Sequence, residues 1–146
     1  MTEIKEIHYQ DTFIVRHPVL RQGKPIESCF FDGDDLPTTK HFGAFIDEKI
    51  TGAVSVYQNK NVNFNDGNQY QIRGMAVLDD FQKKGLGELL VLCSEEYVSK
   101  QKGNLIWFNA RESAVGFYEK LNYQKMGEPF PVGDIGWHYI MFKKMV

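Results

Sequence analysis

What the chain lacks narrows it first. Its 146 residues include only two cysteines, Cys29 and Cys93, without C-x-x-C spacing and too few for a disulfide framework. A reduced, cytoplasmic setting is expected, with no metal, because the histidines and cysteines show no ligand spacing. No apolar run nears the ~20 residues a membrane helix needs, and no signal-peptide pattern stands at the start, so no membrane partner is expected. Neither charge dominates: 17 Lys and Arg against 19 Asp and Glu leave a net −2, which argues against a nucleic-acid partner. Also missing are a G-x-x-x-x-G-K-[ST] phosphate loop and any internal repeat.

What is present suits a packed core. Hydrophobic residues make up 42% and aromatics 14%, far from a disordered composition. The length predicts one domain over residues 1–146. Alternation predicts a strand at Ile4–Tyr9, and Asp11 or Thr12 caps a helix toward Arg21 that Pro18 should kink. Gly23–Lys40 reads as an acidic loop. His41–Ile46 and Ile50–Gln58 form a hairpin, the second strand half-buried with Ile50, Gly52, Val54 and Val56 on one face. Asn68–Leu78 is a strand with Gly74 a candidate bulge. A helix follows with Leu86, Leu89, Leu90, Cys93 and Tyr97 in one stripe. Leu105–Phe108 is a central strand, Ser113–Leu121 a short helix and Trp137–Lys143 a last strand. The class is α/β (α+β), a mixed, mostly antiparallel sheet of about six or seven strands with about four helices.

The most informative stretch joins an apolar strand, Met75-Ala76-Val77-Leu78, to a basic loop, Gln82-Lys83-Lys84-Gly85-Leu86-Gly87, that opens a helix. The first N–H groups of a helix lack partners and carry partial positive charge, and glycines let main chain approach a phosphate. An anion site for a pyrophosphate is the reading; a purely structural turn is the alternative.

The Gln82-x-x-Gly85-x-Gly87 spacing resembles the acetyl-CoA pyrophosphate loop of the GNAT N-acetyltransferases. A second segment, Asn109-Ala110-Arg111 through Ala114, Phe117-Tyr118 and Lys120 to Tyr123, resembles that family's other cofactor-contacting run, with Asn122 where Gly is usual. The resemblance implies the GNAT fold and acetyl-CoA as co-substrate. It implies contacts from Met75, Ala76, Val77, Gln82, Lys83, Lys84, Gly85, Leu86, Gly87, Asn109, Ala114, Phe117 and Tyr118.

Acetyl transfer to an amine needs a fixed thioester, an oxyanion donor, a neutral amine and a proton for the thiolate. The resemblance implies a main-chain N–H near Val77 as the donor and Tyr118 as the acid; a Tyr merely packed against Phe108 and Phe117 is the alternative. Many relatives place a Glu on the strand before the loop, where this chain has Gln69, Gln71 and Arg73. His41 and His138 are the substitute bases, against the alternatives of two hydrogen-bonded strand histidines or a chain of waters. The His138 and Arg16–Arg21 segments resemble a subgroup of small bacterial GNAT proteins. Glu27, Asp32, Asp34 and Asp35 could attract a cationic amine, and Arg73 could instead bind an acid group. Cys93 reads as a structural thiol, which favours direct transfer in a ternary complex. The expected partner is a small-molecule or protein amine, and a homodimer is compatible with such folds. The rival reading is a non-catalytic acyl-CoA-binding sensor.

Overall fold

Asp47 and Glu48 both take positive φ, 48° and 71°, the two-residue turn whose twist suits a hairpin. They join β2 (Lys40–Ile46) to β3 (Lys49–Gln58) in the computed structural model, which describes residues 1–145. Around that hairpin lie β1 (Thr2–Ile7), α1 (Phe13–Leu20), β4 (Gln69–Val77), α2 (Leu86–Lys100), β5 (Leu105–Arg111), α3 (Val115–Glu119), β6 (Gln124–Val132) and β7 (Gly136–Lys144). The seven strands form one sheet in the order β1-β2-β3-β4-β5-β7-β6. Only β4 and β5 run parallel. Among the described residues there are three α-helices and four short 3₁₀ turns, close to the about four helices expected. No described helix is long and apolar enough to cross a membrane.

Several elements differ from the sequence reading. β3 is buried on both faces over residues 50–57, because α2 covers one side and α1 the other. Ile50 joins Ala53 and Val15 on the α1 side, since the pairing slips between Ala44 and Phe45 and breaks the alternation. The buried face of α2 is shifted from the expected stripe: Leu86 and Leu90 are buried as expected, together with Val91, Ser94 and Val98, Cys93 and Tyr97 pack at the edge of the core, and Leu89 is 41% exposed. Leu89, Cys93 and Tyr97 instead line a shallow groove beside β1. α1 runs through Pro18; the N–H that proline lacks would have met Ile14, a residue facing solvent. The strand β6 was not expected, its Pro129 and Pro131 masking an edge strand. Asn122 sits at φ 73°, a conformation Asn tolerates better than other non-glycine residues, so it replaces Gly without breaking the turn.

The α1 side is filled by a polar cluster. Arg16 has no solvent exposure, and its guanidinium forks onto Asp34 at 2.6 and 3.1 Å. It also donates to Cys29 O at 2.7 Å, Ser55 Oγ at 2.9 Å and Tyr57 Oη at 3.3 Å. Burial would raise the Asp34 carboxyl, but hydrogen bonds from Arg16, Tyr57 and the Phe31 N–H outweigh it and hold Asp34 below the usual carboxylate range. Removing one partner strands a buried charge. Asp34→Ala should lower the unfolding free energy in urea by about 3–5 kcal/mol, and Arg16→Met with Asp34→Leu should recover most of it. Because the folded carboxyl titrates below its unfolded value of about 3.9, its contribution is complete at neutral pH and is lost as pH falls below that value. Unfolding measured at pH 7 and pH 3 reads that loss.

Candidate active site

β4 and β5 pair at only three positions, Gln69–Leu105, Tyr70–Ile106 and Gln71–Trp107, and then part. β5 keeps β7 as partner as far as Arg111–His138, and β4 keeps β3 as far as Gly52–Val77. The outer edge of β4 from Ile72 to Val77 therefore faces no strand. Gly74 marks the bulge expected of it, at φ 66°, where the β3–β4 register slips between Ala53 and Ser55. A Cβ at Gly74 would lie 3.1 Å from Arg16 Nε and 3.2 Å from Phe31. The buried arginine and the bulge fit only because this residue is glycine. An open strand edge of this kind can hydrogen-bond an extended ligand.

Beyond β4 the chain turns through Asp79–Phe81 into the loop. Gln82 holds that loop itself, its Nε2 donating to Val77 O at 3.0 Å and Asp79 Oδ1 at 3.2 Å. Gly85 takes φ 83° as the N-cap of α2, without a side-chain cap, and open space surrounds the position of its missing Cβ. Leu89 N–H bonds to Gly85 O at 3.2 Å, but no described backbone or side-chain acceptor meets the N–H groups of Leu86, Gly87 and Glu88. These free donors at the positive end of a 15-residue helix, beside exposed Lys83 and Lys84, make an anion cradle.

Two cavities flank the splay. The larger, about 500 Å³, is lined by Met75, Ala76, Val77, Gln82, Lys83, Gly85, Leu86, Gly87, Ala114, Phe117 and Tyr118. The smaller, about 280 Å³, is lined by Arg73, Gly74, Asn109, Arg111 and His138 among others. They share Met75, Ala114 and Tyr118. Asn109 thus falls on the smaller side, and Lys84 lines neither cavity. Arg111 was quoted in the sequence pattern without a role; its alternation with Asn109 along β5 puts both toward the cleft.

Tyr118 stands at the junction, its ring 4.3 Å from Phe108 and 5.0 Å from Phe117 between centroids. Burial pushes its hydroxyl up to about 12, so it stays protonated. The hydroxyl bonds to no described residue, yet among the described residues Arg16 Nε is the one fully buried side-chain polar atom without a partner. The Tyr118 hydroxyl therefore keeps access to the cleft. His138 Nδ1 lies 3.2 Å from Gly136 O. A carbonyl only accepts, so Nδ1 is the donor there, and Nε2, which meets no described partner, is the ring nitrogen left for a ligand.

His41 lies elsewhere, against a separate pocket lined by Tyr9 and Asp34. Both its nitrogens are engaged: Nε2 donates to Asp34 O at 2.9 Å, and Nδ1 accepts from Ser55 Oγ at 2.6 Å. Burial lowers its basicity, partly opposed by the bond and charge of Asp34. It is a member of the Arg16 cluster rather than of the cleft. Asp34 is likewise taken by Arg16, and Glu27, Asp32 and Asp35 are exposed and line neither cleft cavity. Among the described residues no group of three or more His, Cys, Asp or Glu is arranged to hold a metal ion. Cys29 and Cys93 line neither cavity, and burial, their largest influence, raises both thiols.

Residues 2–123 match the model of the acetyltransferase (GNAT) family. The chain belongs to that family. It is 31% identical over 145 residues to YitI, an uncharacterised N-acetyltransferase of Bacillus subtilis (strain 168), covering 99% of this chain and 97% of the relative. Among solved structures it resembles an aminoglycoside 6′-N-acetyltransferase complexed with coenzyme A, with TM-score 0.79 at 15% identity over 99% and 97% of the two chains. It also resembles Escherichia coli ElaA, with TM-score 0.74 at 16% identity over 98% and 99%. The seven-stranded sheet is the GNAT fold, and the protein is an acyltransferase of a family whose group donor is acetyl-CoA.

The free N–H groups and the uncluttered Gly85 fit a pyrophosphate. Acetyl-CoA at a hundredfold excess over Kd should therefore stabilise the native state by about 2.7 kcal/mol, read as an upward shift in Tm. Gly85→Val, forcing a β-branched residue into the left-handed region, should remove most of that shift.

Proposed function

We propose that the protein moves an acetyl group from acetyl-CoA directly to a primary amine while both are bound. The observation that carries this reading is the junction of the two cavities at Met75, Ala114 and Tyr118, which gives donor and acceptor one meeting point. The donor side is the cradle of Leu86, Gly87 and Glu88 N–H groups with Lys83, and the open edge of β4 at Met75–Val77. The bound co-substrate supplies an activated acetyl carbonyl. Main-chain N–H groups on that edge are the donors for its oxygen, a contribution of about 3 kcal/mol for one such group.

The amine nitrogen, entering from the His138 side, attacks the carbonyl; a C–N bond forms and the C–S bond breaks. The proton lost by nitrogen goes to His138 Nε2, directly or through one water, and the thiolate accepts a hydrogen bond from Tyr118. With its hydroxyl at about 12, Tyr118 is a weaker acid than a thiol of about 8.5. It therefore stabilises the leaving sulfur mainly by donating a hydrogen bond. No thiol of the chain lines the cleft, which supports direct transfer over an acyl-enzyme route.

Thiol release from acetyl-CoA over a panel of amines tests the reading, and a protein that binds acetyl-CoA without turnover on any amine would overturn it. Tyr118→Phe should lower kcat about a hundredfold or more while leaving the acetyl-CoA shift in Tm intact, and His138→Gln should lower kcat by a similar factor. Because Tyr118 stays protonated to about 12, the wild-type rate should show no alkaline fall attributable to it below that value.

A further inference from the structure

The walls of the smaller cavity carry arginine and no carboxylate. Arg73, from β4, is preorganised: its guanidinium lies 5.2 Å from the Phe31 ring and 5.1 Å from the Tyr57 ring. Its Nη1 donates to Asp32 O at 3.2 Å. That bond is to a backbone carbonyl, so it steadies the side chain without neutralising it. Arg111 ends β5 across from His138 and reaches the same cavity.

Phe31 gathers further positive charge nearby. Arg16 lies 4.0 Å and Arg21 4.9 Å from its ring, alongside Arg73. Of these, Arg16 alone has a carboxylate, Asp34. Arg21 donates to Ser28 O at 3.2 Å and Leu20 O at 3.0 Å, and Leu20 lines the cavity. The acidic groups of the neighbouring segments, Glu27, Asp32, Asp35 and Glu112, are exposed. None forms an ion pair with Arg21, Arg73 or Arg111 among the described residues. The smaller cavity is thus cationic within a chain of net charge −2. Arginine offers a planar fork that matches an anion's oxygens, and an uncompensated pair repels a cationic ligand.

We propose that the acceptor amine bears an anionic group, a carboxylate or a phosphate, which docks on Arg73 and Arg111 while its nitrogen reaches Tyr118 and His138. This rests on the transfer reading above and narrows it: a neutral amine is a poorer acceptor and a polyamine poorer still. The test is thiol release from acetyl-CoA by the full chain with matched amines: β-alanine against β-alaninamide, 2-aminoethyl phosphate against ethanolamine, and spermidine. At least one anionic amine should exceed its neutral partner by tenfold or more in kcat/KM, and the better anionic arm tells carboxylate from phosphate. Arg73→Gln should erase that preference chiefly through KM, Arg73→Lys should keep part of it, and Arg111→Gln should weaken it. The acetyl-CoA shift in Tm should persist in every variant, which also shows that each is folded.

A preference for the neutral amines or for spermidine would overturn the inference, as would a preference that survives both Arg73→Gln and Arg111→Gln. If no amine turns over, the transfer reading fails, and the anion site is judged by binding alone. The coenzyme A-saturated protein should then be stabilised by β-alanine or 2-aminoethyl phosphate in the wild type and not in Arg73→Gln, and equal behaviour of the two proteins would overturn the site as well.

Discussion

A guanidinium with no exposure to water governs this fold. Taking a charge out of solvent is costly unless geometry and further hydrogen bonds compensate, and here the compensation is drawn from four parts of the chain. Arg16 comes from α1, Asp34 and Cys29 from the long connection, Ser55 and Tyr57 from β3. His41 on β2 completes the arrangement, since Ser55 Oγ accepts from Arg16 and passes its own proton toward His41 Nδ1. Against an apolar replacement of the same shape, such a pair adds little net stability. Its effect is positional. Residues 21–39 have almost no regular structure, and the carboxylate of Asp34 and the carbonyl of Cys29 tie them to the sheet. That connection carries Phe31 and Asp32, which hold Arg73 in place at the cleft. That wall of the smaller cavity is therefore set by an ion pair that lines neither cavity.

The same arginine bears on the donor side. Its Nε lies against Gly74, where β4 bulges and begins to leave β5. Splaying two strands forfeits ladder hydrogen bonds over the length of the opening, and unpaired main-chain groups are tolerated only where water or a ligand reaches them. The cleft satisfies that condition, with cavities on both sides of the parting edge. The bulge, the buried cation and the open edge form one arrangement: filling Gly74 would push on Arg16, and moving Arg16 would loosen the wall opposite.

How much of this was readable from the sequence depends on how local each part is. The anion cradle lies within residues 82–88, and there the residue types and their spacing are the structure: Gly85 takes the left-handed conformation, and the first turn of α2 leaves its donors free. Gly74 was readable for the same reason. His41 was not, because a histidine heading a strand looks identical whether its nitrogens are free or taken, and its partners are 7 and 14 residues away. Arg16 and Asp34 are 18 apart, and nothing in either segment marks them as partners. The acidic run at 32–35 looked like one feature and is two, a buried ligand to Arg16 and an exposed pair. The shifted face of α2 follows from tertiary context as well. Spacing groups Leu86, Leu89, Leu90, Cys93 and Tyr97, and the sheet keeps Leu86 and Leu90 but centres on a face that includes Ser94, whose hydroxyl is satisfied inside the helix by Leu90 O at 2.9 Å.

The two halves of the cleft therefore differ in kind. A pyrophosphate is the same in every molecule of the co-substrate, and one contiguous loop with backbone donors suffices to hold it; such a loop leaves a fixed pattern in the chain. The smaller cavity is assembled from α1, β4, β5, α3 and β7, and its character depends on which charges those elements bring together and which they turn outward. The chain's total charge is blind to that, because it counts every charge alike, whereas the lining of this cavity includes two arginines and no carboxylate. Arg73 and Arg111 sit within the cavity while Glu27 and Asp35 do not line it. Substitution at a few wall positions can thus recast the charge of the smaller cavity without disturbing the loop at the start of α2. The charge of the smaller cavity is carried by tertiary placement, and the anion cradle by local sequence.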